Sequence, residues 1–261
     1  MSRQAQAAVL FLLGASLLHA GFTDLYLRYV KVGLRPMLLA SGVVLIAAAL
    51  ATVWYEWRAR RAAGLHADEH AEEPVGGHAK GHAEGHAADG HAHREPRVSW
   101  LLVLPLFALI LVAPPALGSY SALRTGTALQ QPYGYADLPS EGALRLSLVD
   151  YAGRAVYDHG RTLKGRQIKV AGFVALDKAG TPYLVRMALN CCAADAQPVK
   201  VALTGRIPPV LQPDTWLEVT GTYTARQAKD PVNNGPIPFL QVSAAAPVRA
   251  PQDPYDETWN N

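Results

Sequence analysis

The chain of 261 residues is 50% apolar, carries a formal net charge of +3 and contains two cysteines. Its length suits a membrane anchor followed by one domain of ordinary size. So small a positive charge gives no electrostatic reason to expect nucleic acid as a partner. The sequence has no hydrolase motif, phosphate-binding loop or dinucleotide fingerprint, and we therefore expect no enzyme activity.

Three apolar segments, at residues 7–22, 36–54 and 98–117, predict membrane spans. The second and third approach the length that a bilayer core requires and carry no charge. The first is shorter, but Leu18-His19-Ala20 is a poor signal-peptidase site, so we expect it to be retained. The sequence therefore predicts two transmembrane helices within residues 1–57 and a third at 98–118, in a multi-pass protein of the cell membrane.

The distribution of basic residues gives a topology by the positive-inside rule. The N-terminus and the segment between spans two and three carry Arg3, Arg58, Arg60, Arg61, Arg94 and Arg97. The opposite side carries Arg28, Lys31, Arg35 and Arg124. This small excess predicts a cytoplasmic N-terminus and an extracytoplasmic C-terminal domain.

Residues 58–97 form a low-complexity linker with a Gly-His-Ala repeat from Gly77 onward. Glycine at every fourth position disfavours a helix, so we expect a flexible tether on the cytoplasmic side. Neutral imidazole is a ligand for zinc, copper and nickel, and an array of imidazoles binds such ions with exchangeable geometry. The alternative is a solvated linker without a metal role. The candidate ligands here are His66, His70, His78, His82, His86, His91 and His93.

The C-terminal domain, residues 119–261, shows short alternating apolar runs separated by Gly, Pro, Asp and Asn clusters, which predict strands. We expect them at 142–149, 166–176, 182–189, 199–203, 216–223 and 237–242, with a bend or bulge at Gly172 and a short helix within 150–163. Five or six short strands in about a hundred residues favour an all-β, OB-like small barrel. OB barrels that bind nucleic acid do so through basic grooves with aromatic platforms, and the sequence shows no such groove.

The two cysteines, Cys191 and Cys192, are adjacent. A disulfide between neighbours strains the intervening peptide. Two soft sulfurs with Asp195 nearby suit a thiophilic metal or thiol exchange, whereas two buried apolar side chains are the alternative interpretation. Asp195 either acts as a third ligand or caps the local backbone amides. Asp158 and His159 are further candidates for the same site.

The stretches Arg166–Val174, Tyr183–Arg186, Cys191–Ala196 and Trp216–Gly221 together resemble the YcgQ-like permease subunits. In that family, N-terminal spans precede a C-terminal domain with a CC-x-A-D-A run, which stands here as Cys191–Ala196. Tyr29-Val30 and Arg35-Pro36 fit the same layout, while Asn190 departs modestly from it. The resemblance implies an accessory subunit of a multi-spanning permease, with zinc as its candidate cargo.

The leading hypothesis is therefore a non-enzymatic membrane subunit that partners a permease in the lipid bilayer and handles a thiophilic divalent metal, zinc above all. Cys191, Cys192 and Asp195 would hold the ion. Two alternatives stay open at this point. One is a membrane-tethered thiol redox module that cycles a labile vicinal disulfide. The other is a structural subunit that only recognises its partner, with both thiols buried.

Overall fold

The computed structural model describes residues 3–69 and 115–255, without the side chains of 62–69. The chain divides into two compact units. Of the described residues, one unit holds 3–22 and 36–69, and the other holds 23–35 together with 115–255. We call the short segment Thr23–Arg35 the interhelix loop. This loop belongs to the C-terminal unit, although the rest of that unit begins much later in the sequence.

The N-terminal unit contains helix α1 (Arg3–Phe22) and helix α2 (Arg35–Glu69). Both are long and apolar enough to cross a membrane. Small residues let their backbones approach: a Cβ added at Gly14 would lie 2.8 Å from the carbonyl oxygen of Gly42. Close approach at small residues is a common way for transmembrane helices to pack, because lipid supplies no hydrophobic force between them.

The structure bears on two sequence predictions about the anchor, the number of spans and the start of the linker. The third span, 98–118, falls almost wholly outside the described residues, and the structure describes two candidate spans where three were expected. We expected a flexible linker from residue 58 onward. That boundary is wrong, because α2 continues to Glu69. Residues 58–69 are rich in Arg and Ala, which favour helix, and the glycine repeat starts only later.

The C-terminal unit is built on a closed five-stranded barrel, as the sequence predicted. Its strands are β2 (Gln167–Leu176), β3 (Pro182–Ala188), β4 (Gln197–Gly205), β5 (Trp216–Lys229) and β6 (Pro236–Pro247), and the short β1 (Leu144–Arg145) pairs in parallel with β2 outside the ring. The ring follows the order β2-β3-β4-β6-β5, and β5 pairs back with β2 to close it. Within the ring all neighbours are antiparallel except β4 and β6.

Strand β2 closes the barrel because it pairs with β5 along its first part and with β3 along its second. Gly172 lies near the change of partner, and a Cβ there would lie 2.6 Å from the carbonyl oxygen of Val185. The ladder to β5 runs through Gly172 without a shift of register, so the glycine permits a close approach and the expected bulge is not there. Register shifts occur between β5 and β6 instead, at Thr220/Gly221 and Tyr223/Gln227.

Two helices pack on the barrel: α3 (Ser119–Arg124) and α4 (Leu148–Val156). The side chain of Ser147 caps α4 by accepting a hydrogen bond from the amide of Asp150. This cap explains why the predicted strand at 142–149 shortens to β1 and why the helix starts earlier than expected. The hydroxyl of Tyr151 is buried with the core and donates to the carbonyl oxygen of Phe239 at 2.6 Å, which ties α4 to β6.

Candidate metal centre

The two thiols lie on a tight turn between β3 and β4. After Ala188 the chain passes through Cys191 and Cys192 into a single 3₁₀ turn, Ala193–Asp195, and then enters β4. The carboxylate of Asp195 organises this turn, because it accepts hydrogen bonds from the backbone amides of Asn190, Cys191 and Cys192. Consecutive side chains of a straight strand point in opposite directions. The turn removes that constraint and brings both sulfurs to one side.

Three ligand-type atoms come together on this turn. The Sγ of Cys191 lies 3.8 Å from the Sγ of Cys192 and 2.9 Å from Oδ2 of Asp195. All three ligand atoms lie within 4.8 Å of one another. Two sulfurs held at about 2.3 Å from a tetrahedral zinc ion are separated by roughly 3.8 Å, so the observed spacing fits that geometry. Asp195 thus caps the backbone amides, as one of the two sequence interpretations expected, and it also accepts from the Cys191 thiol. Its role as a third metal ligand stays a prediction.

The protonation of Cys191 follows from its neighbour. Its thiol donates to the Asp195 carboxylate, and this hydrogen bond, with a further one involving Cys192, raises the pKa of Cys191 to about 11. The same thiol hydrogen bond lowers the pKa of Asp195, with help from the backbone amides. At neutral pH the pair is therefore a neutral thiol beside a carboxylate anion. A metal ion that binds the sulfur must first displace that proton.

The interhelix loop pairs with the cysteine turn through its backbone. Val30 and Cys192 form an antiparallel bridge. On either side of it, the amide of Lys31 donates to the carbonyl oxygen of Cys191 at 3.1 Å, and the amide of Ala193 donates to the carbonyl oxygen of Tyr29 at 2.7 Å. The loop is therefore a short edge strand that fixes the backbone on both sides of Cys192.

A second set of contacts holds the same loop. The hydroxyl of Tyr255 donates to the carbonyl oxygen of Arg28 at 3.0 Å and accepts from the amide of Leu117, also at 3.0 Å. The side chain of Gln252 donates to the carboxylate of Asp24. Tyr255 is buried against the barrel. The loop is thus tied to the domain at two places, and one of them is the cysteine turn.

The other predicted ligands whose side chains are described do not join this group. Asp158 and His159 do not belong to the group formed by the two cysteines and Asp195. Burial tends to raise the pKa of Asp158, but hydrogen bonds from Arg161 and Thr162 and the charge of Arg161 outweigh it and lower the pKa. His159 is exposed, with φ of +50° at the end of this turn. The backbone of His66 lies in α2. The remaining predicted histidine ligands, His70, His78, His82, His86, His91 and His93, lie outside the described residues.

Sequence reasoning missed the part that the interhelix loop plays. The sequence pattern places Tyr29 and Val30 in the anchor and predicts no contact between them and the cysteines. The loop meets the cysteine turn through main-chain groups, which leave no residue pattern behind. The resemblance of this short segment to a known family was the one signal available, and it did not say where the segment packs.

Residues 140–256 match the family model described as the DUF1980 C-terminal domain. The match spans the barrel, including Cys191, Cys192 and Asp195. Searches of curated proteins and of solved structures found no match. The match supports the resemblance to the YcgQ-like proteins at the level of this domain.

Proposed function

We propose that this chain is a non-enzymatic, membrane-anchored accessory subunit of a multi-spanning permease, and that its barrel domain binds zinc or another thiophilic divalent ion. The observation that carries the metal site is the convergence of two sulfurs and one carboxylate on the turn after β3. Two helices able to cross a membrane and the match to the DUF1980 C-terminal domain support the anchored accessory role.

The donor set suits an ion that is exchanged. Soft sulfur ligands favour zinc or copper(I) over magnesium and calcium. A zinc site with three protein ligands keeps one coordination position for water or for a donor from elsewhere, whereas structural sites supply four. Cys191 is exposed and Cys192 half-buried, so an ion held there stays accessible to a partner. These features favour transient handling of the ion over a structural role.

The interhelix loop supports the predicted topology. It joins the end of α1 to the start of α2 and hydrogen-bonds to the cysteine turn. If both helices cross the bilayer, the loop and the barrel share one face of it. A chain that leaves this face through α2 has to return before residue 115, which supports the apolar segment 98–118 as a third span. On this topology the His-rich linker is cytoplasmic, where its imidazoles would collect metal on the opposite side of the membrane.

The two alternatives are weaker in light of the site. Reactive thiols in redox proteins have a lowered pKa, because the thiolate is the nucleophile. The raised pKa of Cys191 therefore disfavours a redox module. The structural alternative required both thiols to be buried in the core, and Cys191 is exposed.

Cobalt(II) titration of the full-length protein tests the metal site. Thiolate ligation of cobalt produces a charge-transfer absorption in the near ultraviolet that imidazole ligation does not, so the signal separates the cysteine site from the His-rich linker. We expect this absorption in the wild-type protein, its loss in Cys191→Ser/Cys192→Ser, and its displacement by zinc. His159→Ala serves as the control and should keep the signal. Absence of the absorption in the wild type would contradict the metal site.

The partner is tested separately. Purification of the tagged protein from its own membranes in a mild detergent should recover a multi-spanning membrane protein in a fixed ratio. Quantitative mass spectrometry of the purified complex measures that ratio. Recovery of the chain by itself under conditions that preserve other membrane complexes would contradict the accessory role and leave the metal site standing.

A further inference from the structure

The barrel carries a cleft of about 620 Å³ that is separate from the cysteine turn. Its walls come from helix α3, the turn between β2 and β3, and the connection between β5 and β6, and its floor comes from residues of β3, β4 and β6. Tyr183, on the floor, lies at the start of β3, and Cys191 follows the end of that strand. The five residue steps from Tyr183 to Ala188 span about 17 Å of strand, so the two features lie toward opposite ends of β3.

The position of this cleft is the one that OB barrels use for ligands. Such barrels bind on the face of their second and third strands, between the loop that joins the first two strands and the loop that joins the last two. In this barrel those elements are β3 and β4, the turn 177–181, and the connection 230–235. The cleft is lined by Tyr183 and Lys200 from the two strands and by Asp177 and Val232 from the two loops.

The lining combines apolar walls with cations at the edge. Leu123 and Leu176, both half-buried, contribute aliphatic surface, and the buried side chain of Ile237 lies beneath them in the floor. Val232 and Tyr120, also in the lining, are 51% and 68% exposed. Pockets for small molecules are mostly apolar, with a few polar groups that fix the orientation of the ligand, and they commonly measure about 300–1,000 Å³. The size and lining of this cleft fall within that description.

The charged groups around the cleft indicate the sign of the charge that a ligand would carry. The ammonium of Lys200 is neutralised by Asp230 at 2.7 Å, and both are buried. The carboxylate of Asp177 is already engaged by the amides of Ala179 and Thr181 and by the hydroxyl of Tyr183. These hydrogen bonds lower the pKa of Asp177 although burial tends to raise it, so Asp177 stays an anion. The two other cations in the lining, Arg124 and Lys178, are exposed to solvent. With the Lys200–Asp230 pair neutral, two exposed cations stand against the one carboxylate of Asp177, and the net charge of the lining is positive.

We propose that this cleft binds a small apolar molecule that bears one acidic group. Its apolar body would lie against Leu123, Leu176 and Val232, and its anion would face Arg124 and Lys178. A neutral molecule of the same shape would lack the contact between its anion and the two cations, and it would bind less tightly. The site is independent of the cysteine turn, so a protein that binds no metal would still be expected to bind this ligand.

Ligand-observed NMR on the full-length protein in amphipol, with 4-phenylbutyrate as the probe and its neutral amide as the comparison, tests the proposal. We expect the acid to bind about fivefold more tightly than the amide, the scale of one exposed charge contact. Arg124→Gln/Lys178→Gln should abolish this difference. Arg145→Gln/Arg206→Gln, which removes two exposed cations outside the lining, should retain it. Val232→Trp, which fills the cleft from an exposed position, should weaken both probes.

Three outcomes would overturn the proposal. Equal binding of the acid and the amide to the wild type would remove the case for an anion. An unchanged preference in Arg124→Gln/Lys178→Gln would place the anion elsewhere. Severalfold tighter binding after removal of residues 256–261 would show that the chain's own terminus occupies the cleft. The cobalt titration, repeated on the same variants, reports the cysteine site independently, so failure here is distinguishable from failure of the proposed function.

Discussion

The backbone amide of Lys31 donates a hydrogen bond to the carbonyl oxygen of Cys191, and beside this bond Val30 pairs with Cys192 as a one-residue strand. The cysteine turn is therefore held from two directions. Asp195 binds its amides from within, and the interhelix loop binds its backbone from outside.

Lys31→Pro tests whether the loop supports the metal site. Lys31 has φ of −59°, which proline adopts without strain, so the substitution mainly removes the amide donor. Loss of one hydrogen bond costs about 0.5–1.5 kcal/mol, so we expect cobalt affinity at the cysteine site to fall by roughly two- to tenfold. The charge-transfer titration measures this affinity.

Lys31→Ala is the matched control for that experiment. It removes the side chain, including its 3.5 Å contact from Nζ to the carbonyl oxygen of Leu189, but keeps the amide. We expect near wild-type affinity from it. If the proline and alanine variants bind equally, the backbone contact has no role in the site.

Asp195→Asn tests the cause of the raised Cys191 pKa. Without the carboxylate anion beside it, the thiol proton is no longer stabilised and the pKa of Cys191 should fall. More thiolate is then present at mildly alkaline pH, and alkylation of Cys191 should be faster. Peptide mass spectrometry after timed exposure to iodoacetamide measures the rate at each cysteine. Asp137→Asn, at an exposed position, should leave the rate unchanged, and a slower reaction in Asp195→Asn would refute the explanation.

Metal affinity should rise with pH. Below the Cys191 pKa of about 11 the thiol is protonated, and binding to its sulfur releases that proton. The release of this one proton gives about a tenfold gain in affinity per pH unit over that range. Direct cobalt titrations of the charge-transfer absorption at pH 6, 7 and 8 measure the slope. An affinity independent of pH would mean that Cys191 does not ligate the ion.

Asp230→Ala should strongly destabilise the barrel domain. Asp230 is buried and accepts from Lys200 at 2.7 Å and from the amides of Thr127 and Val232. Its removal leaves the Lys200 ammonium buried without its counter-charge, which typically costs about 3–5 kcal/mol. Glu218→Ala breaks a more exposed pair, with Lys169 at 2.8 Å, and should cost less than about 1 kcal/mol. Thermal unfolding of the two variants compares them, and equal losses would contradict the assigned role of the buried pair.

Single-cysteine labelling tests the topology. In a Cys191→Ser/Cys192→Ser background, Ser140→Cys reports on the barrel domain and Arg58→Cys on the far end of α2; both positions are exposed. A membrane-impermeant maleimide added to intact cells should label Ser140→Cys, and it should label Arg58→Cys only after permeabilisation. The reverse pattern would invert the topology. Labelling of both positions in intact cells would mean that α2 does not cross the membrane.

The sequence located the middle strands well, but it ended β5 and β6 several residues early, because the last residues of each are mostly exposed and are held by pairing with the other strand outside the core. Alternating apolar residues identified β2 and β3 to within about a residue, because one face of each strand packs into the core. It placed the start of α4 late, because the Ser147 cap competes with the strand pattern before it. The predicted end of α2 is too early, because the first part of the His-rich segment has a composition that still favours helix.

The sequence by itself determined that two cysteines and an aspartate lie within five residues of one another and that apolar segments precede a small barrel, because local residue order and hydrophobic periodicity are properties of the chain. Only the tertiary structure decided that the sulfurs share one side of a turn, that the loop before α2 pairs with Cys192, and that two distant turns enclose a cleft. These features depend on backbone hydrogen bonds and on barrel closure between segments far apart in sequence. Backbone hydrogen bonds are made by main-chain groups that nearly every residue carries. For that reason no pattern of residue types predicts them.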